Sequence, residues 1–111
     1  MNLPNANRAV VDIEKLSAYC LDPSHPSGRH KARVFLSSLG ISLAQADLLR
    51  DALLAAATAG DCRARGHTRY GSLYEIEFRC EHQGRSATVR SGWIVRASED
   101  FARLTSCYVV F

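Results

Sequence analysis

The segment "HPSGRHKARVF", residues 25–35, gathers His25, Arg29, His30, Lys31 and Arg33 where a proline and glycine loop gives way to an apolar run. Histidine moves protons near neutral pH, lysine and arginine hold phosphate oxygens, and a helix start offers unpaired amides to an anion. These groups suffice for RNA cleavage without metal. The RNA's 2′-hydroxyl attacks the adjacent phosphate, a histidine takes or gives a proton, and a cation stabilises the charge gathering on phosphate oxygens. Cations at a helix N-terminus cost that helix about 0.3–1 kcal/mol each, which an anion would offset. The plain alternative is a solvated basic face, with His25 bonding a neighbouring carbonyl. Ser91 and Trp93 alternate onto one strand face, where hydroxyl and indole are expected to bond phosphate or stack a base; a core tryptophan is the other reading. Lys15 and Tyr19, at i and i+4, reach the same site. Tyr74, Thr105 and Ser106 are read as structural or as substrate contacts.

Three helices must position this segment. Asp12 caps the first, about 12–20, with Ile13, Leu16, Tyr19 and Cys20 at helical spacing. "LDPSHPSG" stops it, with Asp22 and Ser24 bonding nearby amides. The second, about 28–39, carries Ala32, Phe35, Leu36 and Leu39 on one stripe and ends at Gly40. Ser42 and Gln45 form a capping box for the third, whose stripe is Leu43, Ala46, Leu49, Leu53, Leu54 and Ala57 and whose end lies near Gly60.

After Gly60 the period changes to two. "SLYEIEFRCE" sets Tyr74, Ile76, Phe78 and Cys80 against Glu75, Glu77 and Arg79, as a strand with one buried face requires. "HQGR" is a hairpin loop into "SATVRSGWIVR", and "RLTSCYVVF" is a further strand. A weaker strand runs through "CRARGHTRY". The expectation is one α+β domain over 1–111: an extended arm at 1–11, a helical part at 12–60, and an antiparallel sheet of three or four strands at 61–111.

At 111 residues the chain fits a single core, and folding removes roughly two thirds of the unfolded surface from water. Twelve of the fourteen cations are arginine, the exceptions being Lys15 and Lys31. Arginine's planar fork suits phosphate and carboxylate, so a net charge of +3 is compatible with RNA or an acidic partner. The N-terminus has no signal pattern and no apolar run reaches a membrane span, so a cytoplasmic protein without membrane contact is expected. Cys20, Cys62, Cys80 and Cys107 lack C-x-x-C spacing and read as reduced core residues; no metal or other cofactor is assigned. Phosphate-loop, dinucleotide, H-E-x-x-H and G-x-S-x-G signatures are absent.

"LPNANRAVV", "KLSAYCLDPSHPSGRHKARVFLSSLGI", "YGSLYEIEF", "VRSGWIV" and "RLTSCYVV" resemble a bacterial domain family of uncharacterised function, with the signature KLxxYxLxxxHPxGxxKAxxFxxxLGI. That resemblance implies a small protein beside a short neighbouring gene, or the end of a large secreted or phage-associated protein, an arrangement pointing to toxin and antitoxin. "HKARVFLSSLGI" and "SGW" are also similar to the lysine–histidine helix and the serine-x-tryptophan strand of colicin D and related contact-dependent toxins. These belong to the barnase, EndoU, colicin and RelE ribonuclease superfamily. The resemblance implies catalytic His25 or His30, Lys31 and Ser91, with Trp93 on the sheet. Here His30 precedes Lys31, which turns the imidazole about 100° around the helix from the colicin position and favours His25.

The resulting reading is a metal-independent endoribonuclease acting on tRNA or mRNA and restrained by a small antitoxin or immunity protein. His25 is the acid or base, Lys31 the phosphate clamp, and His30 the second imidazole. Lys15, Tyr19, Arg29, Trp93 and Thr105 contact substrate. The alternative is a noncatalytic antitoxin-like or phage-associated module pairing through the edge of "LTSCYVVF". A third reading is nucleic-acid binding without cleavage.

Overall fold

A computed structural model describes residues 1–59 and 61–111. Asp12 caps the first helix by accepting the Glu14 amide at 3.0 Å. The helix begins as α1 (Ile13–Lys15) and then widens into a π turn (Leu16–Cys20), closed by Leu21 N–H on the Leu16 carbonyl at 2.8 Å. Sequence spacing predicts a uniform helix over 12–20; the π turn is the difference.

The second helix, α2 (Arg29–Leu39), buries Ala32, Phe35 and Leu39 and ends at Gly40 in the left-handed region, φ +67°. Its last carbonyls are capped from the sheet. His82 Nδ1 meets the Leu39 carbonyl at 2.7 Å, and Arg85 reaches those of Leu36 and Ser37. The predicted Ser42 and Gln45 capping box is present and leads through a 3₁₀ turn (Leu43–Gln45) into α3 (Ala46–Ala59). Leu36 and Leu43, expected on buried stripes, are exposed, because each helix meets the core over only part of its apolar arc. The expected helix end at Gly60 lies outside the described residues.

Four antiparallel strands follow in the order β1 (Cys62–Thr68), β2 (Gly71–His82), β3 (Arg85–Arg96) and β4 (Ala102–Val110). The stretch read as the weaker strand is thus β1. The helices cover one sheet face, where Ile76, Cys80, Val89, Trp93, Leu104 and Cys107 pack with Phe35, Leu39, Leu49 and Leu53. The opposite face carries a charge ladder. Glu75 and Glu77 of β2 pair there with Arg63, Arg65 and Arg90.

The arm at 1–11 is held rather than free. It contains a 3₁₀ turn (Ala6–Arg8), buries Leu3 and Val11, and bonds Val10 in parallel to the start of β4. That bridge covers part of the edge offered by the last strand. Among the described residues no single helix is long and apolar enough to cross a membrane.

Candidate functional site

The loop before α2 is pressed onto the π turn. A Cβ built at Gly28 would lie 2.1 Å from the Tyr19 carbonyl oxygen, so only glycine permits this approach. The approach sets three side chains side by side. Lys31 Nζ donates to the Tyr19 hydroxyl at 2.7 Å and lies 4.7 Å from that ring's centroid. The His25 ring meets Tyr19 edge-on at 4.9 Å.

The sheet supplies the other wall. Lys31 Nζ is 5.4 Å from the Tyr108 ring of β4, and the Arg90 guanidinium of β3 is 5.9 Å from the same ring. Arg90 is bonded to Glu77 at 2.7 Å, and Tyr108 together with Glu77 holds its charge firmly. Two cations therefore flank one tyrosine, an arrangement worth about 0.5–2 kcal/mol per cation–ring contact. An open groove of about 500 Å³ adjoins Tyr19, lined by Asp12, Glu14, Lys15, Tyr19, His25 and Ser27.

His25 Nδ1 accepts the backbone N–H groups of Ser27 and Gly28, each at 2.9 Å. A nitrogen that accepts two amide protons is bare, so the neutral ring carries its proton on Nε2. A proton on Nδ1 would break both bonds. The ring thus fixes the loop through Nδ1 and presents its Nε2–H as a donor.

For Ser91 and Trp93 the expectation of an open, substrate-facing position is corrected. Ser91 is 0% and Trp93 1% exposed. The Trp93 indole donates to Ser91 Oγ at 2.9 Å, and Ser91 Oγ donates to the Ile76 carbonyl at 2.9 Å, inside the core. Neither side chain is open to solvent. Arg29 faces away from the groove and lines a separate apolar cavity of about 480 Å³ with Leu21, Ala32 and Leu36. His30 is exposed on the first turn of α2, and its ring makes no hydrogen bond among the described residues. Thr105 sits at a bulge of β4 with Oγ1 against Gly92, on the helix-free face.

Tyr108 and Arg90 are the partners that sequence reasoning missed; outward alternation on their strands was the available signal. Beneath them Cys20 and Cys107 are both fully buried. A hydrogen bond from Cys107 pulls the Cys20 thiol down to about 7 against the opposing effect of burial, with Lys31 and Lys15 assisting. The same bond, then burial, pushes Cys107 up. No three metal-ligating side chains converge among the described residues.

A four-stranded antiparallel sheet covered on one face by helices, with a lysine and tyrosine cluster at its last strand, defines a small α+β domain with a cationic cluster. Residues 2–110 place the chain in the family described as domain of unknown function DUF6883, to which it belongs. No curated protein matches it. In structure it is similar to a chain of the contact-dependent growth inhibition toxin and immunity protein complex from Klebsiella pneumoniae 342. The TM-score is 0.70 at 14% identity, over 96% of this chain and 97% of that one. At that identity the likeness is one of fold.

Proposed function

We propose that this protein is a metal-independent endoribonuclease of toxin type, acting in the cytoplasm and restrained by a partner protein. The observation that carries the reading is the Lys31 ammonium, fixed on the Tyr19 hydroxyl and against the Tyr108 ring, with Arg90 beyond it. A lysine and an arginine charge flanking one tyrosine ring suit a phosphodiester, whose charge grows as it reacts.

In the reaction the 2′-oxygen of the RNA forms a new bond to phosphorus and the bond to the 5′-oxygen breaks. Lys31 and Arg90 stabilise the pentacoordinate phosphorus, and the His25 Nε2–H adds a third donor. Tyr19, whose oxygen accepts from Lys31, keeps its own O–H to protonate the leaving 5′-oxygen. His30, an exposed imidazole next to Lys31 in sequence, takes the proton of the 2′-hydroxyl. The fold shared with a chain of a toxin and immunity protein complex supports the toxin reading and the restraining partner.

The test is incubation of the purified chain with total RNA in EDTA. Wild type is expected to fragment the RNA, and His30→Ala and Lys31→Met to leave it whole. Intact RNA with wild type would overturn the reading.

A further inference from the structure

We infer that the far end of the helix-free sheet face is a second RNA-binding subsite, formed by Arg69, Tyr70, Ile94 and Arg96, which holds one nucleotide of the strand being cut. The inference rests on the ribonuclease reading and names where its substrate is gripped away from the scissile bond.

A cavity of about 480 Å³ lies between the β1–β2 turn and the β3–β4 turn, lined by these four residues with Ala97 and Ser98. None of these lining residues is acidic. The two turns are joined by the Ala97 amide on the Tyr70 carbonyl at 3.0 Å, so the cavity has a fixed frame. Tyr70 is 61% exposed, so its ring is open to a ligand. Arg69 lies 4.8 Å from its centroid and bonds its hydroxyl at 2.6 Å, which covers part of the ring and presents a guanidinium beside it.

The neighbouring acids are already engaged. Glu99 is bound by both nitrogens of Arg103 at 2.8 and 2.9 Å and reaches Arg96 only at 4.0 Å. Asp100 is held by Arg8 at 2.8 Å. Arg69 has no acidic partner among the described residues. The cavity thus offers two guanidinium groups for phosphate and a tyrosine ring with an isoleucine for a base, the combination that single-stranded nucleic acid uses.

The subsite shares a face with Arg90 and Tyr108, the sheet residues of the candidate site. Arg90, Gly92, Ile94 and Arg96 alternate outward along β3, and the six residue steps from Arg90 to Arg96 span about 20 Å. Between them Gly92 has no side chain, and a Cβ there would lie 2.8 Å from Thr105 Oγ1. Glu75 and Glu77, the acids along this path, are paired with Arg63, Arg65 and Arg90. An extended strand can run from Arg90 to Arg96 along this track without meeting an unpaired carboxylate.

The experiment separates grip from cleavage. A fluorescent 2′-O-methyl octanucleotide of mixed sequence cannot undergo 2′-hydroxyl attack, so its anisotropy with the full chain reports binding alone. Arg69→Ala with Arg96→Ala is expected to weaken binding about tenfold and to flatten its salt dependence by about 1.4, from about 0.7 for each phosphate no longer neutralised. Tyr70→Ala is expected to weaken it further, and cleavage of a dinucleotide, too short to reach the subsite, is expected to stay at the wild-type rate. Binding of these variants within twofold of wild type, or no binding by wild type, would overturn the inference. Binding that depends on these residues in a protein that cleaves no RNA would support the subsite and overturn the ribonuclease reading.

Discussion

Lys31 Nζ and the Tyr19 oxygen are 2.7 Å apart, so one hydrogen bond ties α2 to the π turn while the same ammonium rests against Tyr108 of β4. Lys31→Met keeps the stem and removes the charge. We expect RNA cleavage to fall about 100-fold or more, the usual effect of losing one donor to a developing charge. Stability should fall by less than about 2 kcal/mol, the upper range of a cation–ring interaction. Cleavage rates and urea unfolding of the same preparation check both.

His25 and His30 should separate by readout. His25→Ala removes an acceptor from two amides, Ser27 and Gly28, and should cost about 1–3 kcal/mol of stability. His25→Asn, whose side-chain oxygen can still accept, should recover part of it. His30→Ala leaves the fold untouched, since its ring is exposed, and abolishes cleavage. Nitrogen NMR of the ring should find the proton of neutral His25 on Nε2; a proton on Nδ1 would contradict the loop geometry.

Ser91 tests a structural role against a catalytic one. Ser91→Ala leaves the buried Trp93 N–H without its acceptor and should cost about 1–3 kcal/mol. The folded fraction should cleave RNA at the wild-type rate. A loss of cleavage at full stability would mean that the hydroxyl acts on substrate.

The buried thiols carry a pH dependence. Cys20 sits at about 7, below the ordinary thiol range, because Cys107 donates to it. A depressed value contributes stability that is complete above the unfolded value and is lost as pH falls through the folded one. The stability advantage of wild type over Cys20→Ser should therefore grow between about pH 7 and 9, by about 1–2 kcal/mol. Cys107, raised by the same bond, works in the opposite sense and its contribution is lost only as pH climbs above the thiol range. Cys107→Ala should remove the rise below pH 9; a rise that persists would contradict the pairing.

Local chemistry is readable in the chain itself. The Asp12 cap, the Ser42 and Gln45 box, the Gly40 stop and the alternation of β2 each depend on near neighbours in sequence, and each is found. What the sequence hides depends on the third dimension. The π turn accompanies the approach of Gly28 to the Tyr19 carbonyl, which helical spacing does not encode. β1 is exposed at every residue after Cys62 and so has no buried period; β2 supplies its pairing. A period of two says that Ser91 and Trp93 share a face but not which face is covered. The fold turns them inward and turns Tyr108 outward to meet Lys31, with Arg90 against the same ring. The segment 25–35 stands out in sequence as a cluster, yet its members divide: His25 and Lys31 meet at Tyr19, while Arg29 lines another cavity.

The most direct measurement is the chemistry of the cut ends after wild-type protein has acted on a defined RNA in EDTA. Attack by the 2′-hydroxyl under Lys31 and Arg90 predicts a 2′,3′-cyclic phosphate on one fragment and a 5′-hydroxyl on the other, with neither formed by Lys31→Met. Uncut RNA, fragments bearing a 5′-phosphate, or undiminished cutting by Lys31→Met would contradict the account.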